Sequence, residues 1–304
     1  MMSIHPKAVT ILLIAVILGT GIVPMVRVNA VLPSTITLNN GRVTYVVNAA
    51  GYFEDAYPNV GNNDFYQWYY AINYTVGGTS HVTAGDGVYD YALTTYNGWS
   101  VSSDGLSATS AAANLNGVGV STKVAMMRNM NFIIVGVRIQ NLGASPMTNV
   151  KFYAYQDADF TNSDEGLYTT PSWGPLKFAV YENNYDGSSS SSRLSDPYYG
   201  YTFAGVSADA HQWWQWGSGM YSGQERSRTA LYGDHMNGVS YYLGDGGGVA
   251  RYTIGTIPGY SSVVIYWVLA ITPPSLTPNQ FYLQLLLGSI FARNLATPPV
   301  VIFL

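Results

Sequence analysis

The sequence predicts a mainly all-β protein, a large antiparallel two-sheet β-sandwich of the supersandwich type with one C-terminal helix. Three observations carry that prediction. Short segments rich in β-branched and aromatic residues recur from end to end, bounded by Gly, Asn, Asp or Pro. Their close spacing, without intervening helical patterns, indicates stacked sheets rather than βαβ units. A single segment, "LTPNQFYLQLLLGSIFARNL", breaks the pattern with a helical signature.

Taken in order, the chain opens with a segment that stands apart from the fold. "MMSIHPK" carries Lys7, "AVTILLIAVILGTGIVPMV" is an apolar run, and "RVNA" sets Val28 and Ala30 before a cleavage point. This reads as a signal peptide over residues 1–30, cut between Ala30 and Val31. An uncleaved anchor is the alternative, because the apolar run approaches spanning length. Either way residues 31–304 are exported, as one large domain, to the medium or the cell surface. No membrane span is expected once the signal is removed.

Strand signals follow at "STITLN", "RVTYVVN", "YQWYYAINYTV", "VYDYALTTY", "VGVSTKVAM", "NFIIVGVRIQN" and "VKFYAYQ". They continue at "LKFAVYE", "YYGYTFAG", "GVSYYLGD", "ARYTIGTI" and "SSVVIYWVLAI". Period 2 is clearest in two neighbours. Phe132, Ile134, Gly136 and Arg138 alternate with Ile133, Val135, Val137 and Ile139. Val150, Phe152 and Ala154 form an apolar face, while Lys151, Tyr153 and Tyr155 are expected to meet water or a partner. The turn-rich "NLGASPMTN" between them predicts an antiparallel pair.

"YDGSSSSSRLSDP" reads as a loop excursion, and "GDGGGVA" as a flexible turn that lacks the residues of a phosphate-binding loop. Near the end, Thr277 as N-cap and Pro278 at the first helical position predict a helix over 278–294, with Gly288 a small cost. The terminal "VVIFL" reads as a strand joining a sheet, as a sticky tail, or as a docking or donor strand whose apolar edge invites pairing, and the last reading opens self-association.

Composition narrows the function classes. From residue 31 onward, 11 basic residues face 17 acidic ones, a formal charge of −6 without the clustered cations of a nucleic-acid binder. Charged residues are 10% of the chain against an ordinary value of about 25%. Such a surface, rich in Tyr, Ser, Asn and Gly, suits neighbours, glycans or a lattice. Cysteine is absent, which removes thiolate metal sites and cysteine nucleophiles. Asn73-Tyr74-Thr75 is a glycosylation acceptor.

The stretch "NVKFYAYQDADFTNSDEG" places Asp157, Asp159, Asp164 and Glu165 after a strand. Three readings stand for these carboxylates: catalytic acids, calcium ligands, or a polar strand-end loop. The EF-hand pattern fails, because Asn162 replaces the glycine and Tyr168 the closing glutamate. No cofactor is expected beyond a non-EF calcium site, which stays open because oxygen ligands need only converge in space, and the strand-end loop is the favoured reading. Glycoside hydrolysis would need two carboxyl groups across a sugar bond. Candidates are Glu54 with Asp55, Asp157 with Asp159, Glu182 and Glu225, none within a defining motif. A nucleophile elbow is missing, and His81, His211 and His235 have no ligand spacing.

"HQWWQWGSGMYSG" is the most unusual patch. Trp213, Trp214 and Trp216 beside His211, Gln212 and Gln215 suit either sugar stacking or packing within a core or subunit contact. In a strand, Trp214 and Trp216 would share one face and Trp213 the other.

Two stretches together resemble the supersandwich domain of glucoamylase-like and phosphorylase-type carbohydrate enzymes and of galactose-mutarotase-like proteins. One is "NFIIVGVRIQNLGASPMTNVKFYAYQDADF", with Asn141, Gly143, Tyr155, Asp157 and Asp159. The other is "IGTIPGYSSVVIYWVLAITPPSLTPNQFYLQLL", with its Pro258-Gly259 turn and following helix. The resemblance implies the architecture and a link with carbohydrate. Catalytic acids of the glucoamylase-like enzymes lie in a separate helical barrel, and the histidine and glutamate of mutarotases find no counterpart here. In composition the chain also resembles archaeal surface proteins. Together these features predict an exported, non-catalytic cell-surface protein with a structural or adhesive role, partnered by copies of itself or by surface polysaccharide. A secreted carbohydrate-binding or carbohydrate-active protein is the alternative.

Overall fold

The computed structural model describes residues 35–48, 53–56, 65–84, 91–92, 98–110, 113–115, 117–158, 164–169, 176, 178–184, 198–215, 236, 241–243, 246–272 and 277–295. All belong to the second of two units into which the chain divides, Met1–Val31 and Leu32–Leu304. Calls on the signal segment, "YDGSSSSSRLSDP" and "VVIFL" lie outside the described residues.

The first strands are β1 (Thr35–Asn39), β2 (Thr44–Asn48), β3 (Phe53–Ala56), β4 (Phe65–Val76), β5 (Thr79–Ala84), β6 (Tyr91–Ala92) and β7 (Trp99–Val101). Next come β8 (Ser107–Ser110), β9 (Ala113–Leu115), β10 (Val118–Met126), β11 (Phe132–Asn141), β12 (Met147–Ala158) and β13 (Asp164–Thr169). The rest are β14 (Ala179–Asn184), β15 (Tyr198–Phe203), β16 (Ala210–Gln215), β17 (Tyr241–Leu243), β18 (Gly246–Ile257) and β19 (Ser262–Thr272), followed by helix α1 (Pro278–Leu295). Sheet I has the order β1-β2-β3-β4-β12-β18-β16, with β5 and β6 joined at β4. Sheet II has the order β17-β13-β14-β15-β19-β11-β10-β8-β7, with β9 on β10. Pairing is antiparallel except between β5 and β6. The predicted two-sheet sandwich with a C-terminal helix is what forms.

The two inner faces interdigitate around Trp267 of β19, which is fully buried. Tyr70, Phe152 and Tyr201 meet it edge-on at centroid distances of 6.3, 6.2 and 5.7 Å. That edge-to-face geometry is the one aromatic quadrupoles favour. The two tyrosine hydroxyls reach across between sheets. The Tyr70 hydroxyl bonds Thr122 Oγ1 at 2.7 Å, and the Tyr201 hydroxyl donates to the Ala154 carbonyl at 2.8 Å. Burial therefore leaves these phenols satisfied.

The outer face of sheet II is also apolar at one end, because α1 covers it. Phe281, Leu285 and Ala292 fall at helical spacing and pack with Phe132, Ile134, Val268 and Ala270. The helix begins in a capping box: Gln280 N meets Thr277 Oγ1 at 3.4 Å, and Thr277 N donates to Gln280 Oε1 at 2.8 Å. Gly288 is a requirement more than a cost. A methyl group there would overlap Val268 Cγ1 and press on the Phe132 ring. Glycine lets the helix seat against the sheet.

The expected pairing of residues 131–140 with 149–155 is not what forms. β11 lies in sheet II and β12 in sheet I, so "NLGASPMTN" arches across the sandwich instead of closing a hairpin. β18 and β19 are joined by a second arch, and the pairings β11–β19 and β12–β18 put both connections at one end of the sandwich. Asn141 ties them together. Its Nδ2 donates to Ser145 O at 2.8 Å and Ile257 O at 3.1 Å, and its Oδ1 accepts from Gly143 N at 3.0 Å. A Cβ on Gly259 would run into the Ala144 carbonyl, which explains glycine at that contact. Left-handed Asn149 (φ 53°) falls within the register shift where β12 begins, a bulge that helps redirect the strand.

At the other end of β11, Asn40 joins the sheets again. Its Nδ2 donates to Met127 O and Met130 O, each at 2.7 Å, while its Oδ1 accepts from Arg42 N and Val43 N.

Three further expectations are corrected. Tyr153 and Tyr155, assigned to a water or partner face, are 0% and 1% exposed. Asp164 and Glu165, read in a loop, open strand β13, where pairing with β14 supplies the order that their weak strand propensity does not. Gly246, Gly247 and Gly248, read as a flexible turn, begin β18 and pair with β16.

Candidate functional site

β16 places His211, Trp213 and Trp214 on the terminal strand of sheet I among the described residues. Its neighbour in the ladder is the glycine run. Trp213 pairs with Gly248, Trp214 with Gly247 and Gln215 with Gly246. Sheets are stabilised through side chains paired across strands, and glycine offers none. Bare backbone thus lies beside the tryptophan positions on both faces of the sheet.

Register fixes those faces. His211 pairs with Ala250 and Ala250 with Ala154, so His211 and Trp213 take the inner face. That row runs from Trp213 through Gly248 and fully buried Gln156 to Trp68. Trp214 takes the outer face, which by alternation is also the face of Asp157. Trp216, Glu225 and Asp159 lie outside the described residues.

Sheet II brings two more candidates inward. Glu182 pairs with Gly166 on one side and with core residue Tyr199 on the other. Glu182 and Asp164 share that inner face, while Glu165 takes the outer one. β13 approaches β18, and β17 approaches β16. Of the four carboxylates considered for calcium, Asp157 belongs to β12 of sheet I, Asp164 and Glu165 belong to β13 of sheet II, and Asp159 lies outside the described residues. Among the described residues no group of three or more histidine or carboxylate ligands gathers.

Where carboxyl contacts are resolved, they are structural in character. Asp209 accepts from Arg251 Nε at 2.7 Å and Thr253 N at 2.8 Å, fixing the approach to β16. Asp104 accepts from Ser102 Oγ at 2.6 Å and Leu106 N at 3.0 Å, and the Ser102 hydroxyl is the main influence holding its pKa below the ordinary value. Asn73 is half-buried on β4, between Lys151 and Val82. The Thr75 hydroxyl of its acceptor motif meets Ser80 Oγ at 3.3 Å. No described helix is long and apolar enough to cross a membrane.

No family profile and no curated protein matches the chain. Solved structures do. A bacterial glucoamylase complexed with acarbose superposes on 87% of this chain with a TM-score of 0.53 at 10% identity. A galactose mutarotase-like protein from Lactobacillus casei matches 78% of this chain and 100% of its own at a TM-score of 0.41 and 7% identity. A Synechocystis protein matches 79% of this chain and 96% of its own at 0.42 and 10%. The chain spans 38% of the glucoamylase's length. At this identity the glucoamylase likeness shows a shared fold, a β-sandwich found in part of a carbohydrate enzyme.

Proposed function

We propose that this chain is an exported, non-catalytic, glycan-binding β-sandwich that acts adhesively at the cell surface, with the β16 edge as its binding site. The observation that carries this reading is the register of Trp213 and Trp214 against Gly248 and Gly247. Tryptophan positions in register with glycines suit a site for the flat apolar faces of sugars, and neighbouring amide residues suit their hydroxyls. Gln212 and Gln215 supply amides on the same strand. The glucoamylase of like fold was solved with the ligand acarbose, which supports carbohydrate as the ligand class.

Affinity electrophoresis in neutral glucans provides the test. The wild type is expected to be retarded, and Trp213→Ala and Trp214→Ala to run free. Equal mobility with and without glucan would overturn the reading. Self-association is a second reading, favoured by Leu283 and Ile290 of α1, which are 48% and 42% exposed. Sedimentation velocity decides it: a monomer at high concentration would remove self-association.

A further inference from the structure

The outer face of sheet II beyond α1 holds a second surface that sequence reading did not single out. Tyr266 pairs with Gly136, and Gly136 pairs with Lys123, so three adjacent strands form one row. The Tyr266 ring lies across Gly136. A Cβ added there would stand 2.8 Å from Tyr266 Cε1 and 3.2 Å from Cδ1. The missing side chain is what allows the ring down onto the sheet. Tyr266 borders the apolar cluster beneath α1 and stays half-buried.

The next row pairs Arg138 with Val264. Lys123 and Arg138 are exposed, and Val264 is 41% exposed. Arg138 Nε donates to Ser262 Oγ at 3.3 Å, which steadies the guanidinium over the sheet. From the other side, Arg293 of α1 reaches Gly205, beside Ala204, whose N–H bonds the Tyr266 carbonyl. The rows of this face across β8, β10, β11 and β19 contain no carboxylate. Among the described residues, neither Lys123 nor Arg138 has an acidic partner. A protein of net charge −6 from residue 31 onward thus carries a flat aromatic ring framed by cations.

We propose that this face binds an acidic polysaccharide, with a sugar ring stacked on Tyr266 and sugar carboxylates met by Lys123 and Arg138. Charge complementarity selects the acidic class, and the ring lying on an open sheet selects a saccharide. Two strand spacings, roughly 10 Å, separate the Lys123 and Tyr266 backbones, which suits neighbouring sugars of one chain. This face is distinct from the β16 edge, so the inference stands or falls separately from the site proposed above.

The probe is polygalacturonate, titrated calorimetrically into the full chain at low and high salt, with neutral dextran as comparison. Binding is expected for polygalacturonate and should weaken as salt rises. Tyr266→Ala should weaken it about tenfold, and the Lys123→Ser/Arg138→Ser double variant at least as much, while Tyr266→Phe keeps it. The double variant changes exposed side chains only, so its loss of binding with an unchanged melting curve is not a folding defect. Trp213→Ala should leave this binding intact. Absence of polygalacturonate binding would overturn the proposal. So would binding unaffected by the double variant, or equally tight binding of a single-stranded oligonucleotide.

Discussion

Replacing Gly288 with alanine sets two known effects against each other. Within a helix, Gly→Ala ordinarily stabilises by about 1 kcal/mol. Here the new methyl would overlap Val268 Cγ1 and stand 3.1 Å from Phe132 Cδ2, and both neighbours are fully buried. A valine on a central strand has little rotamer freedom with which to yield. Overpacking of this kind costs about 1–3 kcal/mol. The net expectation is a loss of about 1 kcal/mol, or a Tm lower by about 2–4 °C for a chain of this size. Thermal melts of wild type, Gly288→Ala, Val268→Ala and the double variant form the assay. Val268→Ala should be less damaging in the Gly288→Ala background than alone, because the methyl fills the space it opens. A Tm that rises in Gly288→Ala, with no coupling to Val268, would refute the close seating of α1.

Other consequences follow from the same contacts. Asn40→Ala removes two hydrogen bonds within the β1–β2 turn and two from it to the β10–β11 connection, and chemical denaturation should show a loss of about 2–4 kcal/mol. Burial pushes the Tyr266 hydroxyl above its usual pKa of about 10. The folded state therefore keeps a proton that the unfolded chain releases, so this contribution is intact below pH 10 and is lost as pH rises above it. Tyr266→Phe should flatten the fall in stability between about pH 9 and about pH 11, as read from urea melts. Since Asp157 and Glu165 lie on opposite outer faces, Asp157→Ala and Glu165→Ala should not affect calcium binding together. A calorimetric titration in which both abolish the same heat would contradict the register.

Much of the fold was legible because alternation marks strands and the Thr277-Pro278 start marks the helix. What alternation cannot show is which sheet a strand joins. A hairpin and an arch both require apolar faces on β11 and β12, and both accept a polar connection. The difference lies in backbone detail at Asn141, Asn149 and Gly259, whose partners are remote in sequence. β13 was missed because Asp164 and Glu165 carry little strand preference and take their order from β14 and β17. Similarly, the glycine run looked like a turn because its ladder partners are the tryptophans of β16. Gly136 and Tyr266 lie 130 positions apart, and only the register of β11 with β19 brings them together. Candidate residues were visible as types, whereas their grouping by face depended on pairings no local pattern encodes.

The paired arches have a mechanical consequence. β11 and β19 are neighbours in one sheet, and their continuations β12 and β18 are neighbours in the other. Prising the sheets apart at that end would mean tearing four strands at once. The four should therefore open as one unit, with the slowest amide exchange in the molecule. Opening at lower cost is expected at the outermost strands, β1, β7, β16 and β17. Trp213 and Trp214 belong to one of these outermost strands, so a ligand bound there would leave the four central strands in place.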